Sequence, residues 1–302
     1  MSLEDLARSR PFAKPLAVPA WTLGCFKRRC ITYATGVEDC LTEVIWVQSH
    51  GLTGDLRIPA SRQRPAGTSL GDCSAQELAE LAKAEGFAAQ TRWADGVMSW
   101  DGFASFQPYD KWPEPGRLER VGASLIEWAP SGIYVEDWRM QPGSDGLSVG
   151  LRLETETGFD GRERARQGAL VIAGRHALRV IGRWGELPER PLHEQAAAAA
   201  DATGLARTIF ETEISYGTKT AGGYQIERSV NPFVEDSVMF RDEAFERGED
   251  IDVLIETSRH GQPWTSRKWR IDTLLAGQAR PVATPAAAEG LAWLERESPT
   301  LL

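Results

Sequence analysis

The chain has 302 residues, 42% of them hydrophobic and 25% charged, and its formal net charge is −9. This is the composition of a soluble globular protein with room for two domains of ordinary size, not of a disordered chain. The longest basic cluster is Lys27-Arg28-Arg29, so no local positive field offsets the acidic total, which argues against nucleic acid or an anionic membrane as partner.

The opening MSLEDLARSRPF has acidic residues where a signal peptide needs a positive end and an apolar core, and no window approaches the roughly 20 apolar residues of a membrane span. A cytoplasmic location is the expectation. Cys25, Cys30, Cys40 and Cys73 all fall in the first quarter, but they form no C-x-x-C pair and have no His close by, so no metal site is expected. Without a signal peptide they are expected as reduced thiols on strands, not as a disulfide framework.

An irregular Pro-rich lead gives way to strand signals at residues 21–33, 42–48 and 54–58. From Ile45 to Pro59 the chain reads as a hairpin. β-Branched and aromatic residues run up to Gln48, Ser49-His50-Gly51 supply the turn, and Asp55-Leu56-Arg57-Ile58 alternates polar with apolar until Pro59 closes the strand. After a polar loop, Ser74-Ala75-Gln76-Glu77 is a capping box opening a short helix with Leu78, Leu81 and Ala82 on its apolar face, and Gly86 is placed to end it. Strands resume at 87–93 and 97–106 around the Asp95-Gly96 turn signal, then at 117–121, 124–128 and 133–140.

Residues 141–146, Gln-Pro-Gly-Ser-Asp-Gly, read as a linker, which sets domains at 1–145 and 146–302. Beyond it the same order recurs. Strands at 147–156, 169–173 and 177–184 precede a helix over 192–202 and Gly204. Strands at 206–216, 224–229, 235–240, 252–257 and 266–272 follow, then a terminal helix over 285–297. Leu56-Arg57-Ile58 is echoed by Leu178-Arg179-Val180, Leu125-Ile126-Glu127 by Leu254-Ile255-Glu256, and Trp138-Arg139-Met140 by Trp269-Arg270-Ile271. An internal duplication is expected. Many short strands with one short helix per unit predict an all-β protein of two similar antiparallel β-barrels, because a parallel sheet needs a helix between successive strands. A sandwich is the alternative; closure into barrels removes exposed edges.

Trp46 and Gln48 share a strand face with Thr42 and Val44, and Tyr134, Glu136, Trp138 and Met140 share another. Large aromatics with a few polar groups suit a barrel of about eight strands that holds a small ligand. The expected binding residues are therefore Trp46, Gln48, Asp55, Trp100, Tyr134 and Trp138, with Glu136 and Arg57 as the catalytic candidates; plain core is the alternative for each tryptophan. Glu136, between Tyr134 and Trp138, is expected to have its pKa raised by desolvation, as a general acid or base requires. Asp55 and Arg57 face either the lumen or, if the core lies on the Leu56 side, solvent. His50, His176, His193 and His260 form no metal-ligand cluster, and Gly-x-Ser-x-Gly, Walker and Gly-x-Gly-x-x-Gly patterns are absent, so no cofactor is expected.

Trp46-Val47-Gln48 with Asp55-Leu56-Arg57-Ile58-Pro59, Trp112-Pro113 with Pro115-Gly116-Arg117, and Ile133 to Arg139 make the first half resemble the calycin-like family typified by a fungal casein-kinase-interacting protein, which has bacterial relatives. The resemblance implies two lipocalin-like barrels and no settled activity. The second half keeps Leu178-Arg179-Val180 and Trp269-Arg270 but has no W-x-Q or D-L-R-I-P, which places the expected site in the first barrel. The leading expectation is binding of a small, largely apolar or aromatic molecule there. The alternatives are a cofactor-free lyase, isomerase or hydratase working through a buried carboxylate, and a non-enzymatic scaffold with a protein partner or as a homodimer, to which the family's name points.

Overall fold

The computed structural model describes residues 1–109, 114–199, 201–257, 264–279 and 288–301. Trp112, Pro113, His260 and residues 285–287, all singled out in the sequence, lie outside the described residues. The first half runs α1 (Leu3–Ser9), β1 (Phe12–Ala13), β2 (Gly24–Tyr33), β3 (Glu38–Asp39), β4 (Glu43–Gln48), β5 (Leu52–Ile58), α2 (Ala75–Leu81), β6 (Glu85–Ala94), β7 (Val97–Ser105), β8 (Gly116–Val121), β9 (Ser124–Trp128) and β10 (Tyr134–Met140). The second half runs β11 (Gly146–Gly158), β12 (Glu163–Ala173), β13 (His176–Ile181), α3 (Leu192–Ala197), α4 (Ala202–Ile209), β14 (Glu213–Thr220), β15 (Gly223–Ser229), β16 (Val238–Arg241), β17 (Phe245–Arg247), β18 (Val253–Thr257), β19 (Trp264–Gln278) and α5 (Ala288–Leu301). None of the described helices is long and apolar enough to cross a membrane.

The protein is all-β and its sheets are antiparallel. The first follows the order β10-β9-β8-β7-β6-β5-β4-β2, and β10 pairs back onto β2 from Tyr134↔Tyr33 to Met140↔Phe26, closing an eight-stranded up-and-down barrel with β3 at its margin. The second follows β16-β15-β14-β13-β12-β11-β19-β18-β17 and curls into a half-barrel; among the described residues no pairing joins its two ends. The end strands β16 and β17 have 4 and 3 residues, which leaves little unpaired edge.

Local chemistry explains the elements and three departures from expectation. Asp95 and Gly96 both take positive φ, 51° and 81°, as a two-residue hairpin turn demands. The lead of the chain is not irregular: Ser2 and Asp5 form a capping box for α1, and β1 pairs with β19 through Phe12↔Leu274. Residues 3–13 therefore pack with the second sheet, although they precede the first. The strand expected over 206–216 starts only at Glu213, because Asp201 caps Gly204 N at 2.9 Å and Ala206 and Ile209 pack one face of α4 into the core. The second half thus has two short helices between strands where one was expected. Finally, Cys30 and Cys40 form a disulfide, correcting the expectation of free thiols there; the β2–β3 pairing Ile31↔Asp39 brings their backbones to a Cα separation of 4.0 Å. Cys25 and Cys73 are free.

The two halves share one core. Ile45, Val47, Leu52, Leu56 and Ile58, on the outer wall of the barrel, pack against Val171, Leu178, Val180 and Ile214 of the second sheet. Truncating a side chain as buried as Leu56 costs about 2–5 kcal/mol. The approach is close enough that a Cβ on Gly54 would lie 2.6 Å from Leu178 Cδ2. Strand β5 is consequently buried on both faces. Leu56 does face a core, but Asp55 and Arg57 are not left in solvent on that account: they point into the lumen. Part of that lumen is filled by Phe26, Val44, Met98, Leu118 and Leu125, packed with Trp46 and Trp138.

Candidate functional site: an acidic, aromatic cavity in the first barrel

Where this filling stops, the barrel holds a cavity of about 780 Å³, within the size range of small-molecule pockets. Trp46 and Trp138 belong both to the filling and to the cavity wall, with ring centroids 5.7 Å apart in an edge-to-face contact. Trp100, Tyr134, Phe87 and Phe103 extend the aromatic wall.

Polar groups enter from adjacent strands. Alternation along β5 turns Thr53, Asp55 and Arg57 inward. Arg57 Nε donates to Asp55 Oδ1 at 2.8 Å, and Arg57 stands opposite Glu85 in the β5–β6 ladder. Burial pushes the Asp55 carboxyl up, against the pull of Arg57. Burial alone would ease the proton off Arg57, but Asp55 and Glu136 outweigh it and keep the guanidinium charged. From β10, Glu136 accepts from Arg28 Nη1 at 2.7 Å, while Arg28 Nη2 donates to Asp39 Oδ2 at 3.1 Å. A bulge against Asp137 and Trp138 inserts Arg29 into β2, which lets Arg28 turn in beside Phe26 although Ile31 is also buried.

Glu127 on β9 sits directly across the ladder from Glu136. Like charges so placed repel, and the Glu127 carboxyl is pushed up to about 8 by burial and then by Glu136, with Arg57 acting against both. Tyr134 Oη donates to Glu127 Oε1 over a long 3.5 Å, and burial together with Glu127 pushes the phenol up as well. The Trp138 indole N–H lies near enough to ease the charge on Glu127, yet it makes no hydrogen bond of normal geometry. Trp100 Nε1 is likewise buried without an acceptor. Gly116 provides the room, since a Cβ there would fall 2.4 Å from Glu127 Oε1.

Of the residues singled out in the sequence, Trp46, Asp55, Arg57, Trp100, Tyr134, Glu136 and Trp138 lie on the cavity wall. Gln48 does not. Its amide is held behind the wall by Ser49 O at 2.8 Å, Thr91 Oγ1 at 3.2 Å and the Thr53 hydroxyl, and Thr53 in turn accepts the Trp46 indole N–H at 2.7 Å. Gln48 therefore supports Trp46 and cannot orient a ligand. Glu136 is not the lone desolvated acid that was expected, because Arg28 makes it half of an ion pair. Among the described residues, the buried cavity carboxyl without a guanidinium of its own is Glu127.

Sequence reasoning missed Arg28, Glu127 and the mouth of the cavity. The phase break between Phe26 and Ile31 was the signal for Arg28; the shared face of Leu125 and Glu127 was the signal for Glu127. No local signal marks Arg183, Glu186, Leu187 and Glu189, which reach the cavity from the second half. Burial lowers the Arg183 guanidinium to about 10, and its Nη2 donates to Phe106 O. Among the described residues the only close trio of metal-ligand types is Cys30, Glu38 and Cys40, and two of these are joined in the disulfide.

Fold and cavity together define the class: an all-β protein with a closed eight-stranded antiparallel barrel and a half-barrel packed against its wall. No family model and no curated protein matches the sequence. Among solved structures, the chain is similar to the uncharacterized protein YLR301w from Saccharomyces cerevisiae at 12% identity and a TM-score of 0.46, over 82% of this chain and 96% of that one. It is also similar to a lipocalin-like protein from Bacteroides uniformis at 15% identity and a TM-score of 0.28, over 41% of this chain and 100% of that one. Likeness at this level lends the chain no function.

Proposed function

We propose that the first barrel binds a small, largely apolar or aromatic molecule, with Trp46, Trp100 and Trp138 as walls and Arg57, Asp55 and the Glu127–Glu136 pair as orienting groups. The observation that carries this reading is the 780 Å³ cavity itself, aromatic on its sides and lined by a few convergent charges. Buried indole N–H groups on Trp100 and Trp138, without an acceptor of normal geometry among the described residues, add to it, because such groups are normally satisfied. Titration of the purified protein with aromatic compounds, followed by intrinsic tryptophan fluorescence, tests the reading. A saturable change abolished by Trp100→Ala supports it; no change with any compound, and no small molecule carried by the protein purified from its host, overturns it.

A second reading, cofactor-free proton transfer, draws support from Glu127 and Glu136. Two carboxyls across one ladder with one of them pushed up to about 8 is an arrangement in which a proton is held and released near neutral pH. In this reading Glu127, not Glu136, moves the proton and Arg57 holds the substrate's oxygen. Glu127→Gln would then lower turnover on the order of 10²–10⁴-fold while ligand affinity persists. Unchanged turnover in that variant would end it.

A further inference from the structure

We infer that the cavity of the first barrel takes an organic cation, a protonated amine carried on an aromatic body. The inference rests on the binding reading above and names its ligand class.

Three observations converge. The first is the count of charges. The described cavity wall holds seven carboxyl side chains and two guanidiniums: Asp55, Glu85, Glu127 and Glu136 within, Glu114, Glu186 and Glu189 toward the mouth, against Arg57 and Arg183. Low-dielectric walls lined by one sign of charge concentrate ligands of the opposite sign. The second is the pairing. Asp55 has Arg57 and Glu136 has Arg28, but Glu127, 5% exposed, has no cationic partner among the described residues, only a long contact from Tyr134. A buried carboxylate is normally paired. An ammonium in the cavity supplies the missing partner. The third is the wall material: Trp46, Trp100 and Trp138 offer indole faces, the strongest side-chain partners for a cation. Trp138 is 2% exposed, lines the cavity, and has no acceptor of normal geometry for its N–H among the described residues.

With no cation beside it, Glu127 is held protonated near neutral pH by burial and by Glu136. The groups facing it are Glu136 and Tyr134 on β10, Arg57 and Asp55 on β5, Glu85 on β6 and, behind Glu136, Arg28 on β2. Entry of an ammonium favours the ionised carboxyl, so a proton leaves Glu127 as the cation arrives, and the O–H bond broken there is replaced by the new ion pair.

Three indoles of one shape separate the alternatives: tryptamine (cation), tryptophol (neutral) and indole-3-acetate (anion), titrated calorimetrically at pH 7 into the full chain in buffers of different ionisation enthalpy. The inference expects tryptamine to bind at least tenfold more tightly than tryptophol, indole-3-acetate to be weakest, and proton release to accompany tryptamine alone. Glu127→Gln should remove the proton release and cut the preference for the amine over the alcohol about tenfold. Equal binding of amine and alcohol, or a preference for the acid, overturns the cation while leaving the binding reading in place. Absence of binding by all three, together with the absence of any fluorescence response described above, overturns both.

Discussion

The two halves of the molecule carry the same kind of buried cluster in two states of completion. In the second sheet, Arg179, Glu256 and Trp269 occupy the segments that echo those of Arg57, Glu127 and Trp138 in the barrel. There the cluster is closed. Trp269 Nε1 donates to Glu256 Oε2 at 3.0 Å, Arg179 Nη1 stands 3.7 Å from Glu256, and Arg179 also bonds Glu213 Oε1 at 2.6 Å and Met239 O at 2.7 Å. Leu254, Ile271 and Phe245 pack around them. In the barrel, Arg57 turns to Asp55, the Trp138 N–H stays without a normal acceptor, and Glu127 faces a cavity. Satisfied, such a set holds a core together; incomplete and beside a void, it points to a group that comes from outside.

Breaking each cluster should show the difference. Arg179→Met takes the guanidinium from half-buried Glu213 and buried Glu256 and is expected to lower the unfolding free energy by about 3–5 kcal/mol, read from urea denaturation. Arg57→Met should cost less than half of that, because Asp55 lines the cavity and, already pushed up by burial, can hold a proton instead; equal costs would remove the contrast. Gly54→Ala forces the two halves apart at Leu178 and should cost about 1–3 kcal/mol. Gly116→Ala acts locally by displacing Glu127, so it should lower ligand affinity with little change in unfolding midpoint. The last effect concerns pH. The unfolded chain releases the Glu127 proton near 4.5 and the folded chain near 8, so the folded state holds the extra proton between those values and stability falls as pH rises through that window. Asp55, also pushed up by burial, adds in the same sense. Urea midpoints at pH 5, 7 and 9 should show this fall, and Glu127→Gln should flatten part of it.

The fold was legible because its signals are local. The Asp95-Gly96 turn, the Ser74 capping box and the period-two strands each act within a few residues, and together they imply antiparallel sheets. Much of the site was legible for the same reason: alternation places Tyr134, Glu136 and Trp138 on one face whatever that face meets. What alternation cannot say is which face is inside when both are buried, as on β5, where Leu56 meets the second sheet and Arg57 meets the lumen. Nor can it report a bulge that changes phase, which is how Arg28 reaches Glu136 and why Glu127 is the buried cavity carboxyl without a guanidinium of its own among the described residues. The acidic mouth joins residues far apart in sequence and depends on how the halves pack.

The most direct test observes the two clusters at once. In a two-dimensional NMR spectrum of protein labelled with ¹⁵N in its tryptophan indoles, with signals assigned by single Trp→Phe substitutions, titration with tryptamine should move the Nε1–H resonances of Trp100 and Trp138 and leave that of Trp269 in place. Movement of the Trp269 signal to the same extent, or no movement at Trp100 and Trp138 at saturating tryptamine, would contradict the account.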